Sequence, residues 1–337
     1  MASSLSSTRP CPKADSWRFK DPAELDWIQR LLAKRVSFLP RESEYTIPKR
    51  TGKVPVVSLW KEFKDLGPYI IVPSLARLLY MKWTGNTVHP VLWYMMLVVH
   101  TNYFFRYMQK RNRSKILKYG YLDANVPRDT VPESMTTKFF YEILAGVLVR
   151  PLFFFLLAYD RASVPQITVW LPVQLFFFTL IMDFIYYWVH RATHEVEWLW
   201  KFHQKHHTTK HPCPFLLAYA DEIQEVFDLI GTPSLTYALY PVPFDVLYIW
   251  SLFLVAIEAM GHSGVRLYFP GLLTFGILRP VECDITVEDH DLHHRYGWKQ
   301  SYNYGKQTML WDQLFGTKAE RLETSYDNVD WNNVCDV

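Results

Sequence analysis

Long apolar runs are the feature that most restricts the folds open to this 337-residue chain. Hydrophobic residues make up 50% of it and aromatic residues 17%, and both are concentrated in segments between polar ends. Five runs stand out, at residues 65–81, 88–105, 141–158, 166–189 and 226–260. An unpaired backbone N–H or C=O is costly in lipid, so such segments fold as helices. The sequence therefore predicts an all-α integral membrane protein.

The length of the runs limits how many of them can cross a bilayer. A span takes about 20 apolar residues, and only the run at 166–189 exceeds that comfortably. The others are shorter or carry a charge such as Arg77, and Pro241-Val-Pro243 breaks the last run into two half-segments. We expect about four transmembrane helices, and shallow re-entrant hairpins are the alternative for some segments.

Basic residues indicate how these segments are oriented. Lys and Arg are concentrated in residues 1–63 and 106–140, and the positive-inside rule places such segments in the cytosol. If each hairpin returns to that side, everything after residue 189 except the last hairpin is cytosolic. The formal net charge is only +3 and no nucleic-acid-binding motif is present, so we expect no nucleic acid partner.

Eight of the 12 histidines fall in three short boxes. The boxes are His190-Arg-Ala-Thr-His194, His203-Gln-Lys-His206-His207 and His290-Asp-Leu-His293-His294. Residues three or four apart share a helix face, so each box directs two or three imidazoles the same way. Neutral imidazole is the commonest metal ligand, and one ion takes roughly four to six ligands. Eight imidazoles therefore predict a two-metal site.

The setting of the boxes favours iron. No cysteine lies in a box, which argues against a thiolate zinc site, and His194-Glu-Val-Glu-Trp lacks the HExxH spacing of zinc proteases. Imidazole also suits copper, iron and nickel. A site at a bilayer surface faces unactivated lipid C–H bonds, which an O₂-activating iron pair can attack. A membrane metal transporter is the alternative, but the histidines lie outside the apolar runs.

Further motifs surround the boxes. They are Asp183-Phe-Ile-Tyr-Tyr-Trp-Val-His190, Glu258-Ala-Met-Gly-His262-Ser-Gly264, Tyr302-Asn-Tyr-Gly305 and Trp311-Asp-Gln-Leu-Phe-Gly-Thr317. With the boxes, they resemble the fatty acid hydroxylase/sterol desaturase superfamily of membrane di-iron enzymes over about residues 140–317. The charge and hydropathy pattern and the resemblance together divide the chain into four parts. The pattern gives a basic cytosolic arm at 1–63, a membrane hairpin and basic loop at 64–140 and a polar tail at 318–337, and the resemblance implies a di-iron domain at 141–317.

The resemblance also implies what the site contains. It implies a membrane core under a cytosolic cap with two iron ions, in the endoplasmic reticulum membrane, with O₂ as co-substrate. Electrons would come from a separate donor, usually cytochrome b5 with its reductase, and the absence of a dinucleotide or nucleotide motif agrees with this. Carried over residue by residue, the implied metal ligands are His190, His194, His203, His206, His207, His262, His290, His293 and His294.

Four further residues are candidates for binding metal or orienting its ligands. Asp183 shares a helix face with His190, where a hydrogen bond to an imidazole would offset the cost of an intramembrane carboxylate. Glu258 could orient an imidazole in the same way, and His211 trails the second box. Asp221 stands where sterol C4-methyl oxidases have a histidine; it could ligate iron or be an acid at a helix start.

The expected reaction is hydroxylation of an apolar lipid, with a fatty acyl chain as first choice and a sterol or related terpenoid as second. Desaturation on the same scaffold is the alternative. Asp289 stands where C4-methyl oxidases often have an extra histidine, and with Asp221 it weakens that assignment. His89 and His100, in the first hairpin, are interpreted as structural.

Overall fold

The computed structural model describes residues 17, 20–35, 47–129, 133–297 and 301–335. Helices make up most of it, and its two strands form one small sheet. The elements are α1 (Trp27–Arg35), β1 (Val54–Val57), α2 (Leu59–Thr84), α3 (Pro90–Tyr119), α4 (Thr136–Ala158), α5 (Leu171–Glu195), α6 (Glu197–His203), α7 (Glu222–Val226), α8 (Thr232–Leu239), α9 (Phe244–Gly261), α10 (Val287–Tyr296), α11 (Leu310–Phe315) and β2 (Val329–Cys335). The expectation of an all-α membrane protein is confirmed.

Three helices of the described residues, α4, α5 and α9, are long and apolar enough to cross a membrane by length and composition. The helices α2 and α3 are longer, but their charged residues leave them too polar for that limit. On α4 and α5, apolar side chains such as Leu156 and Phe177 point outward. The apolar stretch of α9 is 83% buried, because α2, α3, α4 and α5 all pack against this helix. It is the central element of the bundle.

The first hairpin is more helical than the charge pattern suggests. It turns at Gly85, which has φ +69° and ends α2 in the left-handed conformation that glycine adopts most easily. From Pro90, α3 continues to Tyr119, well into the segment expected to be a basic loop. Arg111 and Lys115 are basic but not exposed, because both bind the buried carboxylate of Glu62 on α2. The expectation of a loop from residue 106 onward is therefore wrong for its first part.

The last apolar run forms two helices, as its prolines predict. A π-helical turn at Phe227–Gly231 leads into α8, and Pro241 and Pro243 lie in the bend before α9. Proline lacks the N–H that a helix needs, so the break at this point follows from the sequence. The two helices lie on different neighbours, because α8 packs on α5 while α9 enters the centre of the bundle.

The arm and the tail are joined. The strand β1 of the arm pairs in parallel with β2 of the tail, and the register shifts between Pro55 and Val56. Tyr268, from the segment after α9, also pairs with the arm at Val56. The segment 318–335 therefore folds back onto the protein, and it reaches the site described next.

Candidate metal centre

Nine histidines from five elements meet at one end of the helix bundle. His190 and His194 lie one turn apart at the C-terminal end of α5, and His262 directly follows α9. Both helices therefore run toward the site in the same direction. The other six come from the end of α6, the 3-10 turn at His206–Thr208 and α10: His203, His206, His207, His290, His293 and His294. These are the nine positions that the sequence singled out.

The nine side chains form two groups, and the ligand nitrogens of each group lie within 4.8 Å of one another. The five-histidine group is His190, His194, His203, His207 and His293. The four-histidine group is His206, His262, His290 and His294. In α10 the first and last histidines of the box join one group and the middle one joins the other. All three share one broad face of α10, but around the helix His294 lies about 40° to one side of His290 and His293 about 60° to the other, so His293 reaches the neighbouring group.

Hydrogen bonds fix the tautomer of six rings. In each, Nδ1 lies within hydrogen-bond distance of a carbonyl oxygen, which can only accept. Nδ1 therefore carries the proton, and Nε2 of the neutral ring has a lone pair. The pairs are His190 with Tyr304 O (2.8 Å), His203 with Gln224 Oε1 (2.9 Å), His206 with Tyr219 O (3.2 Å), His262 with Glu258 O (2.8 Å), His293 with Tyr302 O (2.6 Å) and His294 with Thr209 O (3.0 Å).

The Nε2 atoms converge at distances that call for a cation. Nε2 of His203 lies 3.0 Å from that of His190, and both rings are protonated at Nδ1. In the other group, Nε2 of His290 lies 3.1 Å from that of His262 and 3.2 Å from that of His294. In the pair of His190 and His203 two lone pairs face each other, and they repel unless a positive ion lies between them. In the other group His262 and His294 are also protonated at Nδ1, so both direct a lone pair at Nε2 of His290. The donor set, imidazole nitrogen only, therefore fits two transition-metal ions.

Burial keeps the rings neutral, as metal binding requires. Removal from water lowers the pKa of His206 to about 3 and that of His262 to about 4. The pKa values of the other imidazoles beyond the membrane-spanning helices are lowered too, first by burial and then by neighbouring imidazoles. No proton therefore competes strongly for these nitrogens near neutral pH.

The two C-terminal motifs hold the ligands in place. Tyr302 and Tyr304 supply the carbonyls that bind His293 and His190. The turn that presents them is bound by Asp312, which accepts hydrogen bonds from the backbone N–H of Tyr304 (2.8 Å) and Gly305 (2.7 Å). A Cβ at Gly305 would lie 2.1 Å from the carbonyl oxygen of Thr308. The motifs were recognised in the sequence, but this role was not.

Asp183 acts on the same turn and not on an imidazole. Its carboxylate accepts hydrogen bonds from the backbone N–H of Lys306 (2.8 Å), Gln307 (2.8 Å) and Thr308 (3.1 Å), and from the Thr308 hydroxyl (2.6 Å). The expected bond to a ligand histidine is wrong. Asp183 lies two turns below His190 on α5, level with residues 306–308, and its hydrogen-bonding capacity is used there.

The other candidates have separate roles. Glu258 does orient His262, but through its backbone carbonyl; its carboxylate binds Nζ of Lys306 at 2.6 Å. Asp221 lies outside both groups and caps α7, accepting from the N–H of Ile223 at 3.0 Å. His211 is also outside both groups, and its backbone N–H donates to the carboxylate of Asp129 at 3.0 Å. His100 binds Tyr248 and the Tyr69 carbonyl within the bundle, and His89 precedes α3.

Helix α10, which carries three of the ligands, is held by buried acids whose role was not recognised in the sequence. Asp289 completes a capping box with Thr286 and makes two hydrogen bonds, both 2.8 Å, to the guanidinium of Arg321. Glu288 accepts from the backbone N–H groups of residues 322–324. Asp291 pairs with Arg128 and Arg295. The tail thus fixes the helix, and Asp289 is a structural residue.

Comparison with known proteins agrees with this geometry. The fatty acid hydroxylase family profile matches residues 175–317. The chain is 41% identical to the fatty acid hydroxylase vlmA of Lecanicillium sp over 260 residues, which cover 72% of this chain and 71% of the relative. The chain belongs to the fatty acid hydroxylase family. The resemblance drawn from the boxes is confirmed, and the protein is an oxidoreductase from a family of membrane-embedded, lipid-modifying oxygenases.

More distant members of this superfamily carry other names. A very-long-chain aldehyde decarbonylase of Oryza sativa subsp. indica, GL1-8, is 32% identical over 160 residues, 45% of this chain and 54% of the relative. Methylsterol monooxygenase 2-2 of Arabidopsis thaliana is 30% identical over 161 residues, 47% of this chain and 57% of the relative. No solved structure matches the chain.

In this member of the fatty acid hydroxylase family, a cavity of about 210 Å³ adjoins only one of the two groups. His206, His262 and His290 of the four-histidine group line it, and no member of the five-histidine group does. Much of the remaining wall is apolar and comes from α2, α3, α4 and α9, with residues such as Leu66, Phe105, Met108, Ile143 and Val255. The two groups are therefore unequal: one is enclosed and the other faces a lipid-compatible space.

Proposed function

We propose that the protein is an O₂-dependent monooxygenase that hydroxylates an apolar lipid, with a fatty acyl chain as the first substrate class. One observation carries the proposal: the four-histidine group, with its Nε2 lone pairs converging, opens onto a cavity lined largely by apolar residues. An apolar chain in this cavity would bring a C–H bond to that group and to no other.

The nine histidines would hold two iron ions. Bound iron supplies the ability to activate O₂, which an unactivated C–H bond requires. In the overall reaction one oxygen atom enters the C–H bond and the other leaves as water, with two electrons and two protons consumed. The protein's own residues orient the histidine ligands through the six Nδ1 contacts. Its apolar cavity walls exclude water from the side where the acyl chain would bind.

The electrons would come from a separate protein. The sequence has no dinucleotide-binding or nucleotide-binding motif, which supports an external donor, with cytochrome b5 and its reductase as the candidate. We place the protein in the endoplasmic reticulum membrane with the histidine site on the cytosolic side. Basic residues at 106–119 support this orientation, because this end of α3 lies near the site: the side chain of Asn112 binds the carbonyl of Ala259, three residues before His262.

Two alternatives share the scaffold. A sterol or related terpenoid is the second substrate class. It is supported by the likeness to a methylsterol monooxygenase, which covers 47% of this chain. The acyl chain ranks first because the relative named a fatty acid hydroxylase is similar over 72% of it. Desaturation would use the same cavity and differ in its product. The metal transporter considered from the sequence is set aside, because the chain belongs to an enzyme family.

Iron content and lipid products test the proposal. The full-length protein, purified in detergent after expression with ample iron, should contain about two irons per chain and, with cytochrome b5, its reductase and NADH, should form a lipid product 16 Da heavier. His206→Ala should lose the product and about half of the iron. The matched control is His211→Ala, which removes a histidine outside both groups and should retain both.

Each other outcome has a defined meaning. A product 2 Da lighter would show that the enzyme desaturates its substrate and does not hydroxylate it. Zinc alone under iron-replete conditions, or equal loss in both histidine variants, would contradict the proposed centre.

A further inference from the structure

A charged cluster lies in the wall of the cavity, beside the four-histidine group. Nζ of Lys306 lies 2.6 Å from Oε1 of Glu258, 3.6 Å from Oδ2 of Asp228 and 4.4 Å from the centre of the Tyr186 ring. Arg150, from α4, approaches Glu258 at 3.9 Å. All five residues line the cavity. We call this set the polar cluster.

The polar cluster is next to the metal ligands. Glu258 and His262 are four residues apart along α9, about 6 Å, and the Glu258 carbonyl holds the His262 ring. On the other side, Nε2 of Gln224 lies 3.5 Å from Asp228, while Oε1 of the same amide binds His203. A molecule that touches the polar cluster is therefore within a few carbon–carbon bonds of the site where oxidation would occur.

One donor of the polar cluster has no acceptor. Nε of Arg150 is buried and, among the described residues, makes no hydrogen bond. The approach of Arg150 to Glu258 is made by another atom, Nη2, and at 3.9 Å it is too long for a hydrogen bond. An arginine within an apolar helix is costly and usually marks a functional position. An oxygen acceptor on a bound molecule would satisfy this N–H from inside the cavity.

The charges decide what kind of oxygen fits. Lys306 and Arg150 carry one positive charge each, and Glu258 and Asp228 one negative charge each, so the polar cluster is formally balanced. The two carboxylates hold the pKa of Lys306 above its usual range despite burial, which acts to lower it. A free carboxylate would add an uncompensated charge to a buried site. A carbonyl or hydroxyl oxygen would add none.

We propose that the polar cluster binds an uncharged carbonyl or hydroxyl oxygen of the substrate through Arg150 and Lys306. The substrate is then an acyl ester, thioester, amide or alcohol and not a free fatty acid, and it is hydroxylated near its oxygen-bearing end. This inference rests on the proposed function for the reaction, but the binding claim can be tested without turnover.

The binding test uses four probes of one chain length: palmitic acid, methyl palmitate, N-methylpalmitamide and hexadecanol. Binding to the full-length, iron-loaded protein in nanodiscs is measured at pH 8.5 without an electron donor. We expect palmitic acid, ionised at this pH, to bind at least tenfold more weakly than the ester and the amide. Arg150→Gln should weaken binding of the ester about tenfold, the effect of one charge-assisted hydrogen bond, and leave iron content unchanged.

A matched control variant and an alternative substitution at Arg150 keep the test decisive. Arg161→Gln removes an arginine from the exposed loop after α4, where it binds Thr87, and should change no affinity. If Arg150→Gln does not accumulate, Arg150→Lys keeps the charge, shifts the donors and should still weaken ester binding. A merely structural polar cluster would lower thermal stability in these variants with no change in the ratio of ester to acid affinity, and that result would overturn the inference.

Turnover separates this inference from the proposed function. With the electron donor present, the inference predicts oxygen insertion close to the ester group and a broader set of positions in Arg150→Gln. Selective, Arg150-dependent binding without any oxidised product would support the polar cluster and contradict the proposed function. Product formation with equal affinity for acid and ester would support the proposed function and contradict the role of the polar cluster.

Discussion

At the scale of single residues, Asp183 shows how an intramembrane carboxylate can support a metal site without touching it. It is fully buried and accepts four hydrogen bonds from residues 306–308. Those residues follow Tyr304, whose carbonyl binds His190. The carboxylate thus fixes a ligand through one turn of backbone.

Replacing Asp183 by Asn should therefore cost both stability and metal. The new NH₂ group would face backbone N–H donors in a buried site, and we expect a loss of about 2–4 kcal/mol. Iron per chain should fall because His190 loses the support of its acceptor. Thermal unfolding in detergent and metal analysis would measure the two effects.

The matched control is Asp221→Asn. Asn caps a helix about as well as Asp, so stability, iron and activity should all stay near wild type. Loss of iron in Asp221→Asn would instead place Asp221 in the metal site, and unchanged behaviour of Asp183→Asn would show that the turn is held by other contacts.

The sequence could predict the ligands but not their partners. Box spacing alone indicated eight imidazoles on shared helix faces, and His262 came from a motif of the family. The partition into groups of five and four needs the mutual placement of α5, α6, α9 and α10. The acceptors of Nδ1 are mostly backbone carbonyls, which no residue pattern displays. The partners of Asp183 lie 123–125 residues further along the chain.

At the scale of elements, α10 depends on the C-terminal tail for its position. Asp289 is fully buried, and its charge is balanced by Arg321. Arg321→Met would leave that carboxylate unpaired, which costs about 3–5 kcal/mol for a buried pair. We expect a strong fall in thermal stability, with loss of iron from both groups because α10 contributes to each.

An arginine in a surface pair gives the comparison. Arg191→Met breaks a partly exposed pair with Glu195 on the last turn of α5, next to a metal ligand in sequence. Such pairs contribute about 1 kcal/mol or less, so iron should be retained. If Arg321→Met and Arg191→Met were equally mild, the tail would not be what holds α10.

Charge was an incomplete guide to the elements. The prolines at 241 and 243 correctly predicted the break before α9. The basic residues after position 106 suggested a loop, but Arg111 and Lys115 turn inward to Glu62 and α3 remains helical. A pattern of charges cannot distinguish solvent from a buried partner on another helix.

At the scale of the whole molecule, nine neutral imidazoles at one end of a bundle make stability depend on pH. The pKa values of seven of them, which lie beyond the membrane-spanning helices, are lowered chiefly by burial: His203, His206, His207, His262, His290, His293 and His294. In the unfolded chain each has a pKa of about 6.5. Below that pH the unfolded chain binds protons that the folded chain does not, so acid favours unfolding.

We expect the iron-free protein to be most stable near pH 7 and to lose stability steeply between pH 6.5 and 5. Burial raises the pKa of the carboxyl groups of Asp312 to about 7 and, with the neighbouring Glu142, of Glu225 to about 9. The pKa of each of these carboxyl groups is higher in the folded than in the unfolded chain, so their effect on stability is opposite to that of the imidazoles: it weakens as pH rises through those values. The free energy of unfolding should therefore also decline gently on the alkaline side. Thermal unfolding of the stripped protein in detergent from pH 5 to 9 measures both slopes.

The acid slope should depend on the number of imidazoles. A variant with His206→Gln and His262→Gln titrates two fewer buried rings, so its melting temperature should fall less steeply between pH 6.5 and 5 than that of the stripped wild type. When the wild-type protein is reloaded with iron, the fall in its melting temperature should begin at a lower pH, because bound metal competes with protons for the same nitrogens. A melting temperature that is flat from pH 7 to 5 in the iron-free protein would mean that the rings are solvated in the absence of metal, and that the site is assembled by the metal and not by the fold.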